Sequence, residues 1–232
     1  MKLIVSATLT LGVLIACQPS GQTGTRQPTS SSVKAPASSG TGDAQSKTFS
    51  IFPPKLVSGY DGTHTFQAPA IAVNGSQVKW SVDDPSVLSI EASADGSQVM
   101  FTTKKAGKAV ITAQSGSQKV SVNMTVNSYT AAQWANGDKR YNNAAASGAA
   151  CSGCHAAKSG DVPDHTPTEI DADTDDEVSG TFINGVDPEG RPVNGGKHKF
   201  ALTADEKAGI MVYLRSLKPS GYPEVDPDQK AE

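Results

Sequence analysis

The sequence predicts a multidomain chain in which an all-β sandwich is followed by an all-α domain, both carried on a disordered tether. Three observations predict it. Residues 49–126 hold short β-branched runs with period-two alternation, separated by Asn-Gly, Asp-Gly, Ser-Gly and Ala-Gly breaks. From Tyr129 onward the composition shifts to Ala, Gly, Asn and acidic residues with helix-start and helix-stop signals. Ahead of both lies a stretch built almost wholly from Ser, Thr, Gly, Pro and Gln.

The chain opens MKLIVSATLTLGVLIAC: one lysine, an apolar run from Leu3 to Ile15, then Ala16 and Cys17. This reads as a signal peptide over 1–16, too short to span a bilayer comfortably. Leu14-Ile15-Ala16-Cys17 resembles the bacterial lipobox, which implies acylation of Cys17 and an exported, lipid-anchored protein of the cell envelope. An outer-membrane or periplasm-facing position is the expectation, and an ordinary secretory signal is the alternative. Residues 17–47 are the tether, with little to bury and a flexible-coil reach on the order of 30 Å.

Residues 48–127 are the sandwich. Trp80 is expected to pack between its two sheets, and no cysteine pair is available to bridge them. His64 is expected in a loop or at an edge, since no second ligand-type residue stands near it at a metal-binding spacing. In VKWSVDDPSVLSI, AGKAVITAQSG and VSVNMTV this segment resembles the bacterial group 2 Ig-like domain, which implies a spacer or docking module without catalytic residues.

Residues 128–220 are the helical domain and 221–232 a tail. YTAAQWANGDKRYNNAAA predicts a first helix broken or kinked near Gly137. TDDEVSGTFINGV predicts a short helix with acidic residues in its first turn. LTADEKAGIMVYLRSLK predicts the last helix, with Thr203 and Glu206 as a capping box and Ile210, Leu214 and Leu217 as an apolar stripe.

Between the first two helices stands CSGCH, Cys151 to His155. Two thiols one helical turn apart, with an imidazole directly after the second, suit covalent haem: two thioethers on the ring edge and His155 as proximal iron ligand. A zinc site would need a second ligand pair, a thioredoxin-like pair would need a βαβ setting, and a disulfide across two residues would be strained. With CSGCH, Gly137 and Tyr141, and LTADEKAGIMVYLRSL with Tyr213, the segment resembles the class I mono-haem cytochrome c domain. The resemblance implies one haem c, and a glycine and aromatic of the first helix crossing Tyr213 of the last. NNAAASGAA looks like an insertion relative to that pattern.

The same resemblance places the distal ligand in the loop before the last helix. That loop, GVDPEGRPVNGGKHKFALT, contains His198 and no methionine. Met211, inside the last helix, and His165, in PDHTPTE, remain alternatives. The run DADTDDE is EF-hand-like at Asp171, Asp173 and Asp175 but has Asp176 at the glycine position and Phe182 at the glutamate position, so it reads as a solvated helix start. Net charge of −3 excludes a nucleic-acid partner. The expected function is one-electron transfer at the cell envelope to a protein redox partner, without enzymatic turnover. The alternative is an Ig-like adhesion module with haem as a sensor or small-ligand site.

Overall fold

The computed structural model describes residues 48–155, 164–193 and 198–225. The expected signal peptide, acylated Cys17 and tether lie outside these residues, as does the tail beyond 225.

Eight strands form two four-stranded sheets. The first has the order β1 (Ser50–Phe52), β3 (Gln67–Val73), β6 (Gln98–Thr103), β5 (Leu88–Ala92), all antiparallel. The second has the order β2 (Leu56–Tyr60), β8 (Gln118–Ser128), β7 (Gly107–Ser115), β4 (Lys79–Val82). In it β2 and β8 run parallel, with Leu56 opposite Met124. The alternation in the sequence becomes the alternation of burial: Val99, Phe101 and Thr103 of β6 face inward between exposed or half-exposed neighbours. Phe66, Val99, Phe101, Ile111 and Met124 are fully buried, each large side chain contributing about 1.5–3 kcal/mol. The β7–β8 hairpin turns at Gly116, whose φ of +58° lies in the left-handed region. Trp80 spans the sheets as expected but is only half-buried, edge-on to Phe101, with its indole N–H donating to the Gly96 carbonyl at 2.7 Å.

Five helices follow: α1 (Ala131–Asn142), α2 (Ser152–His155), α3 (Pro167–Ile170), α4 (Asp175–Asn184) and α5 (Ala204–Ser216). Capping boxes start α1, α4 and α5 at Thr130, Thr174 and Thr203. The first helix does not break at Gly137. It runs straight through, because Gly137 is where α5 crosses: a Cβ there would lie 1.9 Å from the Gly209 carbonyl oxygen. Tyr141 packs on Tyr213 at a centroid distance of 5.1 Å on the same side of the crossing.

The expected all-α domain is not what forms, and the fold class is corrected accordingly. The protein is mainly two β-sheets with a few short helices, two of them single turns. Sandwich and helices share one compact unit within Asp43–Glu232. The physical reason is core size. The sandwich buries a cluster of fifteen hydrophobic residues, the helical segment one of seven, too few to stand alone by the scaling that makes small domains marginal.

The helices therefore lean on the edge strand β2. Val57 donates its N–H to the Asp171 carbonyl at 2.7 Å, and its own carbonyl accepts from Arg215 Nη1 at 2.8 Å. Arg215, 1% exposed, also donates to the Ile170 carbonyl, the Asp173 carbonyl and Asp175 Oδ1. Asp175 Oδ2 in turn accepts from Asn127 of β8 and from the hydroxyl of Tyr129, directly after it. One guanidinium thus covers the sheet edge that would otherwise be open to pairing. A second tie lies at the β2–β3 loop, where His64, held by Asp61 at 2.6 Å, stacks on Trp134 of α1 at 3.7 Å.

The acidic run is corrected by the same contacts. Asp171 is 1% exposed and Asp175 faces Arg215, so the residues read as a solvated helix start form the polar junction between helices and sandwich. The cation that Asp175 and the Asp173 carbonyl meet is the Arg215 guanidinium.

Candidate functional site

The side chains singled out in the sequence meet below the α1–α5 crossing. Single-turn α2 begins directly after Cys151, so both cysteines and His155 lie within one turn. The loop after α1, residues 143–149, leads the chain to Cys151. It closes on itself through paired backbone bonds between Ala145 and Gly148, at 2.9 and 3.0 Å. Cys151 carries a free thiol, and burial pushes that thiol up, with the Arg140 charge opposing. Cys154 is disulfide-bonded.

Three of the chain's four histidines converge here. His155 and His165 are stacked, with centroids 3.4 Å apart and planes at 24°. His155 and His198 lie 6.1 Å apart at 71°. Tyr141 and Phe182 border His165 at 6.0 and 5.9 Å, and Phe200 borders His198 at 5.0 Å. Burial lowers His165 to about 3, with His155 and His198 reinforcing it; burial, then His155, lowers His198. Both are therefore neutral near pH 7, the form with a lone pair to give to a metal. The Nδ1 atoms of His165 and His198 are buried without a hydrogen-bond partner.

These observations test whether the residues fit a haem. Among the described residues no group of three or more His, Cys, Asp or Glu side chains converges to hold a bare metal ion. A porphyrin supplies four donors itself and asks the protein only for axial ones. With metal–imidazole bonds of about 2 Å, two axial rings have centroids roughly 6 Å apart, which is the His155–His198 separation. Met211, by contrast, is 1% exposed in the α5 core among Tyr141, Ile170 and Leu214, and has no loop to present it. By their separation, His155 and His198 are the residues that could hold the iron of such a group.

Sequence reasoning missed two participants. Arg140, 4% exposed, lies beside Phe200, its guanidinium carbon 5.7 Å from the ring centroid. The only signal was a lone arginine ahead of an uncharged stretch from Tyr141 to Gly153. Trp134 was the other; it packs on Tyr213, which packs on Tyr141, which borders His165. No periodicity reveals that file of rings, since its members come from two crossing helices and one loop.

No known family profile matches the chain, and no curated protein is similar to it. Solved structures are. Domains 4 and 5 of the S-layer protein SbsC match at 18% identity and a TM-score of 0.28, over 34% of this chain and 50% of that one. Titin domain M7 matches at 12% identity and a TM-score of 0.28, over 35% of this chain and 94% of that one. In a longer SbsC structure the match spans 12% of that chain. These similarities are to β domains, of an S-layer protein and of titin. The resemblance to the class I cytochrome c domain is corrected. Among the described residues two four-stranded β-sheets are the main structure, the helices are small, and no ready-made metal group stands. Gly137, Tyr141 and Tyr213 do meet, but a glycine at a close crossing and a neighbouring aromatic pair suit any two helices that approach this tightly. Among the described residues no helix is long and apolar enough to cross a membrane.

Proposed function

We propose that this protein is a lipid-anchored electron carrier of the cell envelope, with one haem attached covalently at Cys151 and Cys154. The observation that carries the reading is the convergence of His155 and His198, 6.1 Å apart and flanked by Phe182 and Phe200, directly after two cysteines at haem-attachment spacing. In this reading Cys151 and Cys154 would hold the haem covalently, and His155 and His198 would bind its iron. The haem would supply a one-electron iron couple. Phe182, Phe200 and Tyr141 exclude water from the imidazoles, and two imidazoles favour the ferric state more than methionine does. Attachment needs the Cys154 thiol reduced first, and acylation likewise needs the Cys17 thiol free. Acylation of Cys17 would hold the carrier at a membrane, within tether reach of a redox partner protein.

Peroxidase staining of a denaturing gel should show haem at the mass of the protein, lost in a Cys151→Ala, Cys154→Ala double variant. Haem that extracts into acidic butanone from the unmutated protein overturns covalent attachment. His198→Ala should convert a low-spin ferric spectrum to a high-spin one, while Met211→Leu leaves it unchanged and lowers stability by under about 1.5 kcal/mol. A low-spin spectrum surviving His198→Ala but lost in His165→Ala would move the distal role to His165, the ring stacked on His155.

A further inference from the structure

We propose that Arg140 binds a carboxylate of the cofactor, an inference that rests on the haem reading above. Arg140 Nε donates to Ser147 Oγ at 3.0 Å, and Nη1 to the carbonyls of Ala149 and Asn143 at 2.9 and 3.4 Å. Nη2 is buried and donates to nothing. A buried guanidinium with an unused donor is costly unless something anionic meets it.

The protein's own counter-charge does so only in part. Glu206 Oε1 stands 3.5 Å from Nε rather than at Nη2, and the same oxygen already accepts the Ser147 hydroxyl at 2.6 Å. Its Oε2 is taken by the cap of α5, accepting from the Thr203 N–H at 2.9 Å. Phe200 connects this guanidinium to the histidine cluster. Arg140 sits over Phe200, whose ring is 5.0 Å from that of His198. Gly148, at φ +138°, passes so near that a Cβ on it would be 3.6 Å from Nη2 and 2.6 Å from Phe200. The group that would suit these neighbours is an anion carried by an apolar body, the anion meeting Nη2 and the apolar body meeting Phe200. A haem presents that combination, since its propionates are carboxylates on an apolar macrocycle. A free carboxylate or phosphate shares the charge but not the apolar body.

The test compares two ligands in one protein. The full chain, produced without haem and kept reduced, is titrated with mesohaem, whose ethyl groups cannot form thioethers, and with its dimethyl ester, followed by the Soret band. The acid should bind about 10- to 100-fold more tightly than the ester, as one charge-assisted hydrogen bond implies. Arg140→Leu should bind both forms alike, and Arg140→Lys should recover part of the preference. An acid-over-ester ratio that is unchanged in Arg140→Leu overturns the inference. Loss of acid and ester binding by the same factor also overturns it, because the role is then structural. A rise in melting temperature with acetate or phosphate alone, absent in Arg140→Leu, reassigns Arg140 to a free anion. If the original protein binds neither form, the haem reading falls first and the Arg140 inference with it.

Discussion

The sandwich and the helical segment solve the same physical problem to different degrees. Every buried polar side-chain atom left without a partner among the described residues, on Arg140, His165, Asp171 and His198, belongs to the helical segment, and none to the sandwich. The sandwich also has the larger apolar core, and it spends its polar side chains on turns and hairpins, as Asp95 does with Ser93 and Ser97. The helical segment buries fewer apolar groups, stacks imidazoles on one another and borrows the edge of β2 for support. A region that leaves hydrogen-bonding capacity unused in this way is organised around binding rather than around its own stability.

The contrast can be broken most severely at Arg215. Replacing it with alanine strands Asp175 and leaves the carbonyls of Val57, Ile170 and Asp173 short of a donor. Loss of one partner of a buried, hydrogen-bonded charge typically removes about 3–5 kcal/mol. Denaturant unfolding of Arg215→Ala should separate into two transitions, with the helical segment cleaved by protease while the sandwich resists. One cooperative transition of unchanged midpoint would show that the segment does not depend on the sheet edge.

A smaller effect is expected at the helix crossing. Gly137→Ala places a methyl 1.9 Å from the Gly209 carbonyl oxygen, so α1 and α5 must separate. The expected loss is about 1–3 kcal/mol, in the range of core overpacking. Because Tyr141 joins Tyr213 of the crossing to His165, the proposed haem-loaded form of this variant should show a broadened spectrum along with the loss of stability.

The smallest effect, at Asp171, sharpens the comparison through pH. Burial raises this carboxyl well above its ordinary 3.8, with Arg215 opposing. The folded state thus holds its proton more tightly than the unfolded state. The sign follows: stability is lost as pH rises from the ordinary carboxylate range through the raised folded value. Asp171→Asn should therefore stabilise the protein near pH 7, by on the order of 1 kcal/mol, and make little difference near pH 4. Equal effects at both pH values would mean that Asp171 is not protonated on folding.

Much of the sandwich was legible in the sequence because a strand writes its burial locally. Val99, Phe101 and Thr103 alternate with Gln98, Met100 and Thr102, and a register slip would expose all three. Helix ends were legible for the same reason: Thr203 and Glu206 meet across one turn. The CSGCH spacing and the loop position of His198 needed no tertiary information either. Gly137 was misread because the sequence records its low helix propensity but not the backbone of α5 against it.

The tertiary structure alone decided how the two regions combine. DADTDDE looks like a surface charge cluster until Arg215, forty residues from Asp175, places a guanidinium among its carbonyls and carboxylate. His155, His165 and His198 could each have been a ligand or a surface residue until α2, the loop before α3 and the loop before α5 brought their rings together. Local sequence determines periodicity, caps and the chemistry carried at each position, since those depend on neighbours within a turn or a strand. Which buried charge is paired, and which donor is left over, depends on contacts between distant segments, and only packing settles them.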